Sequence, residues 1–114
     1  VCVDCEEKSL AVAKKNYEIC GFSAELVKSS ANSYLESTDR QFDIIFMDPP
    51  YNKGLVSPAL EIIKRRSVLK QDGIIVIERD GVEDKFSADG YSVLKERKYG
   101  RTVITILSIQ QKEA

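Results

Sequence analysis

The run FDIIFMDPPY, residues 42–51, decides how the rest of the chain is read. Its first six residues are apolar at nearly consecutive positions, the pattern of a strand in a parallel sheet covered on both faces. Proline cannot donate to a strand ladder, so the strand has to end at Met47. Asp48-Pro49-Pro50-Tyr51 then forms a loop at its carboxyl end. The two proline rings hold that loop in shape and present carbonyl oxygens with no N–H beside them. A flat group bearing an amine fits this arrangement. One amine hydrogen goes to the Asp48 carboxylate and the other to the Pro49 carbonyl, while Tyr51 offers an aromatic face to the attached ring. An extruded nucleobase would be held in this way.

Outward from this loop, VCVD (1–4) and AELVK (24–28) read as strands. Between them Leu10, Ala13, Tyr17 and Cys20 recur at helical spacing. SANSYLE (30–36) reads as a short helix or turn. Ser57-Pro58 suits a helix start and predicts a helix that turns Leu60 and Ile63 inward and runs to about Leu69. After a turn at Gln71-Asp72-Gly73, GIIVIE (73–78) is a fourth strand, and YSVLKERKYGRTVITILSI (91–109) is a hairpin about Tyr99-Gly100. The whole predicts an α/β domain with a mostly parallel sheet and an antiparallel C-terminal hairpin. Such sheets bind ligands beyond the carboxyl ends of their strands, where Asp4, Ser30, Asp48 and Glu78 stand.

A length of 114 residues allows one domain, and 17 basic against 18 acidic residues create no global field for nucleic acid. No apolar run is long enough for a membrane span, which points away from membrane partners. Three cysteines are an odd number and argue against a disulfide framework, so a reducing cytoplasm fits better. Cys2 and Cys5 have C-x-x-C spacing, but with no histidine and only Cys20 left over, no metal site is expected.

Asp-Pro-Pro-Tyr behind a hydrophobic strand resembles the [DN]-P-P-[FYW] signature of S-adenosylmethionine-dependent amino-methyltransferases. The likeness extends along the chain through VCVD (1–4), KKN (14–16), GIIVIE (73–78) and KYGRT (98–102). In that order and spacing it resembles the RsmD-type family, which methylates N2 of a guanine in small-subunit ribosomal RNA. The resemblance implies a Rossmann-like class I methyltransferase sheet and S-adenosylmethionine as cofactor. Asp4 would bind the cofactor ribose, Cys5 would pack near its adenine, and Ser30 and Ala31 would stand where the family has Asp-Ala. Asp48, Pro49 and Tyr51 would be catalytic, with Asp48 also beside the cofactor. Pro50, Tyr51 and Arg101 would contact the substrate, ribosomal RNA or the small ribosomal subunit.

Ser30 departs from the family's acid and lacks its charge. The family's first strand and glycine-rich turn, which seat the methionine end of the cofactor, are expected upstream of Val1. Residues 1–114 therefore read as a partial methyltransferase domain that depends on a missing N-terminal segment of the same protein and is itself inactive or weak. The rival readings are a DNA N6-adenine methyltransferase and a non-catalytic RNA-binding module on the same fold. Asp rather than Asn at position 48 disfavours a protein glutamine methyltransferase. Candidate RNA contacts are Lys64-Arg65-Arg66 and the group Lys95, Arg97, Lys98 and Arg101.

Overall fold

Strands and helices alternate along most of the chain in a computed structural model that describes residues 1–49, 54–81, 86 and 88–110. Two compact units result, Val1–Thr38 and Asp39–Ala114. In the first, β1 (Cys2–Asp4) leads through α1 (Glu7–Ile19) to β2 (Leu26–Lys28) and α2 (Ala31–Ser37). The strands pair in parallel, Cys2 opposite Leu26 and Asp4 opposite Lys28, with α1 as the crossover that such a pairing needs. Leu10 of α1 and Leu35 of α2 are the buried residues of this unit.

The second unit contains β3 (Phe42–Met47), α3 (Val56–Arg66), β4 (Leu69–Asp80), β5 (Tyr91–Tyr99) and β6 (Thr102–Ile109). Its sheet has the order β3-β4-β6-β5, parallel between β3 and β4 and antiparallel elsewhere. Alternation along β4 and β6 sorts the side chains. Ile75, Ile77, Val103, Thr105 and Leu107 are buried on one face, while Ile74, Val76, Ile104 and Ile106 on the other stay half-exposed. From α3, Val56, Ala59, Leu60 and Ile63 recur at helical spacing and are all buried. Tyr91 of β5 donates its phenolic hydrogen to the Leu60 carbonyl, tying the sheet to that helix.

The sheet corrects the sequence reading. In place of one mostly parallel sheet there are two sheets, with parallel and antiparallel pairings equally numerous among the described residues. The cause is that β6 pairs antiparallel on both sides, while β1 and β3 each carry a neighbour along one edge only. Nor is β3 covered on both faces: Ile44 and Phe46 are 63% and 61% exposed. They point to the half-exposed face, and α3 serves the other.

Boundaries shift too. The helix begins at Val56 without a side-chain cap, and Pro58 sits in the first turn, where N–H groups have no helical acceptor to lose. It stops at Arg66, because Ser67 turns left-handed (φ 55°, ψ 43°) and its N–H returns to the Ile63 and Lys64 carbonyls. Gln71-Asp72-Gly73 lies within β4, where the register jumps from Phe42–Leu69 to Ile44–Ile74 and the extra residues bulge. Glycine is required there, since a Cβ on Gly73 would lie 2.8 Å from the Asp43 carbonyl oxygen.

Burial pushes the Tyr91 phenol up to about 12, and the Glu61 carboxylate adds to the rise. An acid whose folded-state value is raised keeps its proton after the unfolded chain has lost it. Stability therefore falls as pH rises from about 10 to about 12. Urea midpoints followed through that window should fall less steeply for Tyr91→Phe than for the wild type; equal slopes would show that the phenol is not protected.

Candidate active site

Both β3 and β4 run toward one rim of the second unit's sheet, and β5, antiparallel to β6, runs the same way. The carboxyl end of β3, the end of β4 and the β5–β6 turn therefore share that rim. Met47, Ile77, Thr105 and Glu96 form one row across the four strands. Asp48 follows Met47 and is exposed, and Pro49 is half-exposed. Pro50 and Tyr51 lie outside the described residues.

Arg101 comes to the same rim. It is the second residue of a two-residue hairpin turn whose first, Gly100, has φ +63°, a conformation glycine adopts without strain. Its guanidinium lies 3.0 Å from Asp80 Oδ2, and its carbonyl accepts the Gly81 N–H at 2.7 Å. The Asp80 side chain is 8% exposed and that of Arg101 67%. A buried carboxylate thus anchors an open guanidinium. The sequence reading missed Asp80 because it ended the strand at Glu78. No pattern in the sequence marked it, since Glu78, Arg79 and Asp80 are all charged and show no alternation.

Below this pair, the buried face holds a polar cluster. Arg79 donates through Nε to Thr105 Oγ1 and through a terminal nitrogen to Glu96 Oε2, each at 3.4 Å. Thr105, fully buried, donates to the same Glu96 oxygen at 2.9 Å. The guanidinium carbon lies 5.1 Å from the Phe86 ring centre.

In the first unit, Asp4, Cys5, Ser30 and Ala31 gather at the carboxyl ends of β1 and β2. Asp4 Oδ1 accepts the Glu6 N–H at 2.8 Å, and the Asp4 carbonyl accepts the Ser29 N–H at 3.1 Å. Ser30 caps α2, its Oγ accepting the Ser33 N–H at 3.1 Å. Asp4 is half-exposed, and Cys5, Ser30 and Ala31 are exposed. Cys2, Cys5 and Cys20 are free thiols.

The two basic groups differ. On α3, Lys64 donates to the Asp89 carbonyl at 3.2 Å, Arg65 meets Glu61 at 3.3 Å and Arg66 meets Asp39 at 3.9 Å. This cluster lies where α3 enters β4, at the rim opposite Asp48. Lys95, Arg97 and Lys98 on β5 are exposed and form no ion pair with any described residue.

Comparison with known proteins gives a consistent picture. The family profile described as conserved hypothetical protein 95 matches residues 1–108. A ribosomal RNA small subunit methyltransferase D from Buchnera aphidicola is 26% identical over 97 residues, covering 83% of this chain and 51% of the relative. One of the same name from Haemophilus influenzae is 27% identical over 92 residues, covering 76% and 48%. The chain thus spans about half the length of the curated relatives it matches. A crystal structure from Haemophilus influenzae, described as a methylase, superposes with a TM-score of 0.79 at 22% identity over 96% of this chain and 71% of that one. The α/β fold with a mixed sheet is that of class I methyltransferases.

Proposed function

Since the chain belongs to the family described as conserved hypothetical protein 95, the RsmD-type methyltransferases, we propose that it is part of an enzyme that methylates N2 of a guanine in small-subunit ribosomal RNA. The observation that carries this reading is the exposed Asp48 immediately beyond parallel strand β3, followed by Pro49. Asp48 accepts one hydrogen of the guanine amine and the Pro49 carbonyl the other. Held this way, the nitrogen loses conjugation with its ring and turns its lone pair toward the methyl donor. Orientation is the principal catalytic contribution, because no proton has to leave before attack. Asp48 then takes the proton that the methylated nitrogen sheds. Tyr51 is assigned the stacking face, and Pro50 a contact to the substrate.

The donor in this reading is S-adenosylmethionine, and the first unit's residues suit it. Asp4 spends Oδ1 on the Glu6 N–H, and Oδ2 has no hydrogen bond to a described residue, so it can accept from a ribose hydroxyl. The Ser30 hydroxyl, already accepting from Ser33, retains a lone pair for the adenine amine, with Cys5 and Ala31 beside it. When bound, S-adenosylmethionine supplies a methyl group on a positively charged sulfur. A segment of the same protein outside residues 1–114 completes the cofactor site, and the relatives' greater length supports this. The enzyme works in the cytoplasm, on ribosomal RNA or the small subunit. Among the described residues no helix is long and apolar enough to cross a membrane.

Incubating the full-length protein with tritiated S-adenosylmethionine and unmodified small-subunit RNA, then digesting to nucleosides, tests the reading. Label is expected in N2-methylguanosine. Label found in DNA adenine and not in RNA would replace it with the DNA reading.

A further inference from the structure

Strand β5 is an outer strand of its sheet, and its exposed stretch ends in Lys95-Glu96-Arg97-Lys98-Tyr99-Gly100-Arg101. The structure divides these residues by role. Glu96 points to the buried face, where Arg79 and Thr105 hold it. Lys95, Arg97 and Tyr99 stand on the opposite face, opposite Ile106, Ile104 and Thr102 of β6. Tyr99 is 63% exposed there. Among the described residues of β4, β5 and β6, the acids of that face are Glu78, half-exposed one strand beyond Ile104, and Asp80, buried against Arg101. The cations climb toward the rim that carries Asp48. Arg97, Ile104 and Glu78 form the row next to Met47's, so Arg97 lies three strands, or about 14 Å, across from Asp48.

We infer that β5 and its following turn form the surface that grips the phosphate backbone of the RNA substrate. Lys95 and Arg97 contact phosphates, Tyr99 stacks on a base, and Arg101, positioned by Asp80, closes the row at the rim. This rests on the ribosomal RNA reading and adds to it which surface the RNA lies on. The contrast with α3 supports the choice: Lys64, Arg65 and Arg66 have partners within the unit and lie at the opposite rim, whereas the β5 cations have none among the described residues. Charges on an outer strand also hinder edge-to-edge pairing. That role alters self-association but not the salt dependence of RNA binding.

The experiment measures binding of the full-length protein, with no methyl donor present and hence no turnover, to a small-subunit RNA transcript across a range of salt concentrations. Lys95→Gln with Arg97→Gln should reduce the slope of log affinity against log salt by about 1.5, as loss of two phosphate contacts requires. Lys64→Gln with Arg65→Gln makes the same change of charge and should leave the slope unchanged. Tyr99→Ala should weaken binding roughly 5- to 150-fold at constant slope. Asp80→Asn should lower the slope by about one contact if it releases Arg101, with Arg101→Gln giving the same value. An unchanged slope for the Lys95–Arg97 double variant overturns the inference, as does an equal loss for the α3 control or an absence of RNA binding. Equal affinity for duplex DNA, with the same slope change, overturns the RNA assignment. Methyl transfer is scored separately, so a protein that shows the slope change but modifies no guanine retains this surface and loses only the proposed reaction.

Discussion

Replacing Asp48 with alanine is expected to lower single-turnover methyl transfer about a hundredfold while leaving the fold in place. The carboxylate is exposed and lies beyond the last residue of β3, so its removal opens no cavity and breaks no ladder bond. What is lost is the acceptor that orients the amine. One positioned hydrogen bond to a reacting group is worth about 2–4 kcal/mol at the transition state, which sets that factor. Asp48→Asn keeps a carbonyl oxygen and should retain more activity than alanine. A thermal melt and a cofactor titration accompany the rate measurement, and both should change little. Wild-type rates in the alanine variant would reduce Asp48-Pro49 to a turn.

The second large effect is on stability. Leu60→Ala should destabilise the second unit by about 2–5 kcal/mol, the range for deleting a fully buried leucine side chain. Leu60 is 1% exposed, within a helix whose Val56, Ala59 and Ile63 are buried with it and which Tyr91 ties to the sheet. The substitution leaves the backbone carbonyl that accepts the Tyr91 proton, so the loss reports packing and not that hydrogen bond. Small domains are stable by only about 5–15 kcal/mol, so the melting transition should move by many degrees. A shift within experimental error would mean that α3 does not close this face.

Elements with strong local signals were legible before any coordinates. The proline pair stops β3 at Met47, Gly100 marks the hairpin, and the β-branched run in 102–109 marks β6. Asp48 and Arg101 could be picked out because a motif carried them. What sequence left dark was tertiary. The bulge that admits Lys70 to Gly73 into β4 depends on a close approach by Asp43 from another strand. Exposure of Ile44 and Phe46 depends on which face α3 covers, and their apolar character suggested cover on both. Asp80 gained its meaning only when the hairpin turn brought Arg101 to it across 21 residues of chain. Lys95, Arg97 and Lys98, which pair with no described residue, look like the engaged Lys64, Arg65 and Arg66 in sequence, since the difference lies in folded surroundings.

The Arg79–Thr105–Glu96 cluster acts as a key that admits one alignment of the hairpin. Sliding a strand by one residue turns every side chain to the other face. Were β6 to slip so, Ile104 would enter the buried layer and Thr105 would leave it. Arg79 and Glu96 would then lose the hydroxyl that joins them inside an apolar layer, a loss that hydrophobic side chains alone would not impose. Three polar side chains on the covered face thus index the strands. Because the hairpin is indexed, Arg101 meets Asp80, and Arg97 stands in the row that Asp48 continues.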